Sequence, residues 1–142
     1  MKSFSTSIQI DAPAEKVWEV LTDASNWSQW NTTIEKIDGT IAPGNKVTVV
    51  TKASPDQAFP LKVTEFIPNQ SMVWTGGMPL GLFTGKRTYS INPISEYSSE
   101  FSMSEVFTGL MAPLITRSIP DLQPSFDEFA SCLKSYAEST AT

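Results

Sequence analysis

Along residues 3–10, Phe4, Thr6, Ile8 and Ile10 alternate with Ser3, Ser5, Ser7 and Gln9. A period of two puts the apolar set on one face, so the segment reads as a half-buried strand. The period then changes. Val17, Val20, Leu21 and Ala24 recur at helical spacing and predict an amphipathic helix. Asp11 is placed to cap it, and Pro13 suits a first turn, where a missing N–H costs nothing. Asn26 is placed to cap a second short helix running through Trp30.

From Thr33 to Phe107 the signals are short and β-like. Strands are expected at 34–37, 46–52, 61–67, 71–75, 83–91 and 97–107. Asp38-Gly39, Pro43-Gly44, Ser54-Pro55-Asp56 and Pro68-Asn69 read as turns between them. Gly76, Gly77, Pro79 and Gly81 read as a loop, and a further turn is expected near Pro93–Ser95. Turns at hairpin spacing imply an antiparallel meander. Beyond Gly109 the helical period returns, through Met111, Ile115, Ile119, Leu122, Phe126, Phe129, Leu133, Tyr136 and Ala137. Steps of three and four persist across Pro120 and Pro124, which predicts one long helix, kinked or briefly broken near 117–124. Pro113 marks its first turn. Strands and helices in separate blocks give an α+β domain covering residues 1–142. The expected form is a curved antiparallel sheet of about six or seven strands wrapped around the C-terminal helix, with two short helices after the first strand.

Charge narrows the partners. Ten Lys and Arg face fifteen Asp and Glu, a net charge of −5. No basic run exists to neutralise phosphates, which argues against nucleic acid and against an anionic membrane surface. No apolar run approaches the ~18 residues of a membrane span, and the N-terminus has no apolar signal core. A cytoplasmic protein, monomer or homodimer, is expected. Cys132 is the single cysteine and histidine is absent. An intrachain disulfide, a Cys/His zinc site and an imidazole base are thereby excluded. No metal or cofactor is expected, and acid–base chemistry falls to Asp, Glu, Tyr, Lys or water.

Two charges stand on apolar strand faces. Arg87 shares parity with Phe83, Gly85, Tyr89 and Ile91, and Glu105 with Phe101, Met103 and Phe107. If the last two strands pair, the two become near or diagonal neighbours. Three roles fit them: an ion pair that fixes register, an anchor for a ligand carbonyl or carboxylate with Arg87 as donor, or a general base at Glu105. Tyr89 is a candidate hydrogen-bond anchor or proton donor. Trp18 and Trp27 read as core, Trp30 as core or ligand contact, and Trp74 as facing either core or cavity. Residues 76–83 read as a turn or as a gate over a pocket.

Ile10-Asp11-Ala12-Pro13-Ala14 running into Val17-Trp18-Glu19-Val20-Leu21, followed by Trp27 and Trp30, resembles the START-type helix-grip proteins of the SRPBCC superfamily. Gly85-Lys86-Arg87-Thr88-Tyr89, the stretch from Phe101 to Gly109 and the long final helix extend the likeness to the polyketide cyclase/dehydrase-like branch. The resemblance implies a deep pocket between sheet and terminal helix for an apolar or amphipathic small molecule. It places Trp30 at the pocket mouth. Walls are expected from Trp30, Trp74, Tyr89, Phe101, Met103, Ile115, Ile119 and Leu122, with Arg87 and Glu105 orienting a polar group. The leading expectation is a binding module for a lipid, polyketide or aromatic ligand. The alternative is a cyclase or dehydratase on a polyketide-like substrate, with Arg87, Tyr89 and Glu105 as catalytic candidates. A protein–protein adaptor or toxin-type module on the same fold is the third, and it needs an exposed apolar patch.

Overall fold

The computed structural model describes residues 2–78, 80–117, 119 and 121–140. The alternation at the N-terminus gives strand β1 (Lys2–Ile10), with Phe4 and Ile10 buried and the serines outward. Helix α1 (Ala14–Thr22) follows and buries Val17, Trp18, Val20 and Leu21. Asp11 is not its cap. Pro13 holds the N-cap position, and its carbonyl accepts from the backbone N–H groups of Lys16 and Val17 at 3.0 and 3.1 Å. The Asp11 backbone N–H instead donates to Glu138 Oε2 at 2.8 Å. A single 3₁₀ turn (Ala24–Asn26) leads into α2 (Trp27–Trp30). Asn26 makes no capping bond there, because its amide donates back to Asp23.

Six more strands complete the sheet: β2 (Ile34–Asp38), β3 (Lys46–Thr51), β4 (Ser54–Ile67), β5 (Ser71–Met78), β6 (Phe83–Ser95) and β7 (Ser98–Thr108). Their order is β1-β7-β6-β5-β4-β3-β2, antiparallel throughout. Register shifts at Ile34/Lys36, Val50/Thr51, Val63/Glu65 and Pro93/Ser95 interrupt the ladders. Such bulges raise local twist and help a sheet curl.

Three connections differ from expectation. Ser54-Pro55-Asp56 is strand, because a tight turn at Lys52 and Ala53 already reverses the chain. Gly76 and Gly77 are not loop: they pair with Gly85 and Thr84 and carry β5 through to Met78. Gly77, at φ +132°, is held where an added Cβ would lie 2.3 Å from the Phe83 carbonyl oxygen, so only glycine closes this hairpin. The last hairpin turns at Glu96 and Tyr97, just beyond Pro93–Ser95.

The C-terminal segment is two helices, not one. α3 (Ala112–Ile115) is a single turn, and α4 (Gln123–Thr140) is the long element. Prolines open both: Pro113 sits at the start of α3 and Pro124 in the first turn of α4. Ser118 and Pro120 lie outside the described residues. Helix α4 crosses the concave face of the sheet and fastens to the edge strand β1. Gln123 Nε2 donates to the Ser5 carbonyl at 2.7 Å, Thr6 Oγ1 to Asp127 Oδ1 at 2.9 Å, and Lys134 Nζ to the Gln9 carbonyl at 3.1 Å. These bonds occupy part of an edge that would otherwise be open to pairing. Among the described residues no helix is long and apolar enough to cross a membrane.

Candidate functional site

Between α4 and the concave face lies a cavity of about 580 Å³. Its inner end is built on Phe129 of α4. The ring packs edge-on to Trp27 (5.6 Å) and Trp30 (5.3 Å), stacks on Phe101 (6.0 Å) and meets Tyr89 (5.9 Å). Trp27 in turn stacks on Trp74 at 5.5 Å and 12°. The outer end runs past Phe83, Phe107 and Leu61 to exposed residues Ala53, Gln57, Ala58 and Met78. The mouth therefore lies between the β3–β4 hairpin, the end of β5 and the α3 region.

Eight of the ten sequence candidates line this cavity: Trp74, Arg87, Tyr89, Met103, Glu105, Ile115, Ile119 and Leu122. Trp30 and Phe101 stand behind the lining, buried against Phe129, and Trp30 is not at a mouth. α2 is only one turn long, and it turns Trp30 inward with Trp27. Trp27, expected as plain core, is the member of the pair that reaches the cavity. Phe126 and Phe129 also line it. Their helical period marked an apolar face without saying that the face fronts empty space.

The polar centre is a cross-strand pair. Arg87 and Glu105 lie directly opposite in the β6–β7 ladder, closer than a diagonal relation, and Arg87 Nε donates to Glu105 Oε1 at 2.6 Å. Alternation along both strands turns them inward, and what exposure remains (27% and 14% of the side chains) belongs to groups that line the cavity. The guanidinium carbon sits 4.8 Å from the centre of the Phe126 ring, a cation–π contact that ties the pair to α4. Burial works against the Arg87 charge, but Glu105 and the Tyr89 oxygen outweigh it and hold the guanidinium above its ordinary range. Tyr89, fully buried, has a hydroxyl that no group meets in hydrogen-bond geometry; its relation to Arg87 is one of field. Burial raises the phenol above its ordinary 10.0, with Arg87 opposing, so it remains a neutral O–H donor at physiological pH.

Gly76 and Gly85 face each other in the β5–β6 ladder and both line the cavity. A Cβ at Gly85 would lie 3.2 Å from Phe107 Cε1 and 3.4 Å from Glu105 Oε2. Room beside the Glu105 carboxylate thus depends on a missing side chain. Thr33, Thr51, Ser54, Gln57 and Ser125 add scattered polar groups elsewhere on the wall. Among the described residues no cluster of three His, Cys, Asp or Glu is arranged to hold a metal.

The architecture is shared with solved structures. The Zhui aromatase/cyclase from Streptomyces sp. R1128 superposes with a TM-score of 0.78 at 11% identity, over 99% of this chain and 96% of that one. A Thalictrum flavum norcoclaurine synthase gives 0.74 at 13%, over 99% and 96%. A START superfamily protein from Mycobacterium smegmatis gives 0.70 at 15%, over 96% and 97%. At such identities the likeness establishes the fold alone. A search of curated proteins finds no match. The sequence profile for polyketide cyclase / dehydrase and lipid transport proteins matches residues 1–138, and with the helix-grip fold in view the chain belongs to that family.

Proposed function

We propose that this protein binds a small hydrophobic or amphipathic molecule, of lipid, polyketide or aromatic type, in the cavity beneath α4. The observation that carries the proposal is one polar centre in an otherwise aromatic and aliphatic chamber. About 580 Å³ falls within the ~300–1,000 Å³ typical of small-molecule sites. The Arg87 Nε is taken by Glu105, so the terminal guanidinium nitrogens are its donors toward a ligand oxygen. The Tyr89 hydroxyl is a second donor without a partner. Together they suit a carbonyl, phenolate or carboxylate at one end of an apolar body.

Native mass spectrometry of the purified protein, followed by extraction under denaturing conditions, tests this directly; a co-purifying apolar compound is expected. A titration with anilinonaphthalenesulfonate, an aromatic body with one anionic group, supplies a ligand-independent check. Saturable one-to-one binding is expected, weakened about tenfold or more in Arg87→Met, the loss of one charge-assisted contact. No uptake by the folded wild type, or equal uptake by wild type and variant, refutes the proposed polar anchor.

A cyclase or dehydratase activity is the second reading, favoured by the same neutral phenol beside a guanidinium and by family membership. Glu105 would take the substrate's α-proton, Arg87 would stabilise the enolate oxygen that forms, and Tyr89 would hand that oxygen a proton. Glu105 is a restrained base, because its Oε1 is already engaged by Arg87. Turnover of a linear poly-β-ketone mimic, lost in Tyr89→Phe with uptake retained, decides for the enzyme. Substrate recovered unchanged decides for the carrier.

A further inference from the structure

One end of the molecule exposes leucines in a way that the rest does not. Leu80 is 93% exposed and Leu110 is 83% exposed, with Met78, Leu82 and Leu114 beside them in sequence and also exposed. They sit on two loops knitted together, since the backbone N–H groups of Leu110 and Met111 donate to the carbonyls of Gly81 and Leu82 at 3.2 and 2.7 Å. Gly109 makes this approach possible: at φ +117° an added Cβ would lie 2.6 Å from the Leu82 carbonyl oxygen. Leu80 itself is held at φ 62°, a left-handed conformation that leucine rarely adopts. The patch is therefore a built feature of the fold rather than two frayed tips.

Charge is segregated with it. The chain carries −5 overall, yet residues 66–95 and 106–120 hold no Asp or Glu. Lys86, three residues past the start of β6, and Arg117 stand exposed at this end, with Lys2 half-buried beside them and its Nζ donating to the carbonyls of Thr116 and Ile119. Its carboxylates, Asp56 on the β3–β4 hairpin and Asp121 before α4, lie outside both loops. The opposite end also exposes apolar groups, Ile94 and Tyr97, but with Glu96 and Glu100 among them. The global charge that argues against an anionic surface is not the charge of the leucine end.

The patch is continuous with the cavity, because Met78 of β5 and Ile115 of α3 belong to the lining. We infer that the leucine end is a bilayer-docking surface, which sets the cavity mouth against the lipid interface so that an apolar molecule passes without crossing water. Exposed leucines enter the headgroup–acyl boundary, and the flanking cations add attraction to anionic lipids.

Flotation of the full-length protein with phosphatidylcholine vesicles, with and without phosphatidylglycerol, tests the inference. Partitioning is expected on both, tighter with phosphatidylglycerol. Leu80→Ser/Leu110→Ser should lower it about tenfold or more on both, as two apolar side chains are withdrawn. Ile94→Ser/Tyr97→Ser, at the far end, should leave it unchanged. Melting curves check that both variants fold. No partitioning by wild type, equal loss in both variants, or binding only to anionic vesicles regardless of the leucines overturns the inference. So does self-association of the wild type that the leucine variant abolishes while vesicles take up neither, which would assign the patch to a second copy of this chain. The assay needs no cargo, so its failure leaves the cavity proposal standing.

Discussion

Replacing Glu105 by Gln keeps the shape of the side chain and removes its charge. The consequence follows from where the pair sits. Exposed ion pairs contribute about 0–1 kcal/mol, whereas removing one partner of a buried pair costs about 3–5 kcal/mol. With 27% and 14% of the two side chains exposed, Arg87–Glu105 lies nearer the buried case. Gln still accepts a hydrogen bond from the charged Arg87 Nε–H, which recovers roughly 1.5–3 kcal/mol. Glu105→Gln should therefore destabilise by about 2 kcal/mol, and Arg87→Met by a similar amount, through loss of the ion pair and of the contact with the Phe126 ring. The two effects should not add. The double variant Arg87→Met/Glu105→Gln leaves no uncompensated charge, so it should be at least about 1 kcal/mol more stable than the sum of its single changes predicts. Urea denaturation followed by tryptophan fluorescence measures this; at ~1–3 kcal/mol per molar, each single change moves the midpoint by roughly 1 M. Additivity within about 0.5 kcal/mol, or a neutral Glu105→Gln, would refute the claim that the pair is a buried structural unit.

Tyr89→Phe removes a buried hydroxyl that has no partner, so stability of the ligand-free protein should be unchanged or up to about 1 kcal/mol higher by thermal or urea denaturation, while anilinonaphthalenesulfonate affinity falls. Gly85→Val should fold with its melting temperature within a few degrees of wild type yet take up that probe poorly, because its side chain meets Phe107 and Glu105 Oε2. Glu138 is held below its ordinary 4.5 by the Asp11 backbone N–H and by Lys134. A depressed carboxylate binds fewer protons folded than unfolded, so its stabilisation is present above about pH 4.5 and is lost as pH falls through the folded value. Glu138→Gln should accordingly lower the melting temperature above about pH 5 and flatten its fall between about pH 5 and 3, so that variant and wild type converge at the acid end.

Period and parity carried the fold a long way, and their failures share a cause. Inward parity on β6 and β7 was enough to bring Arg87 and Glu105 together, because the bulge at Pro93/Ser95 lies between the pair and the turn and the ladder beyond it stays regular. Parity and helical period together also picked out eight of the residues that line the cavity. It did not separate Trp27 from Trp30, since both are buried in one helical turn and only the packing on Phe129 decides which reaches the cavity. A continuous helical period likewise made the interruption expected near 117–124 read as a kink or brief break within one helix, where it separates α3 from α4. The two helices present apolar residues, Ile115 and Phe126 among them, to one cavity, so a single stripe describes both. Pro113 opens the first helix as expected, whereas Pro124, expected to kink that helix, sits in the first turn of a second.

The deeper limit concerns glycine. In the sequence Gly76-Gly77 signals a flexible loop, and Gly85 is only a neighbour on the face of Arg87. In the sheet Gly76 and Gly85 are a cross-strand pair on the concave face, in a row where Trp74, Phe83 and Tyr89 are large. What they contribute is absence. A sheet face filled at every inward position packs against its helix as a solid core, and here two adjacent positions carry no side chain beside the one carboxylate of the polar centre. Hydrophobic pattern records where side chains are apolar, not where they are missing opposite one another, because that depends on a register fixed by turns elsewhere. The hollow beneath α4 is thus written in part as a pairing of small residues nine positions apart, and it becomes legible only once β5 is known to run on through its glycines.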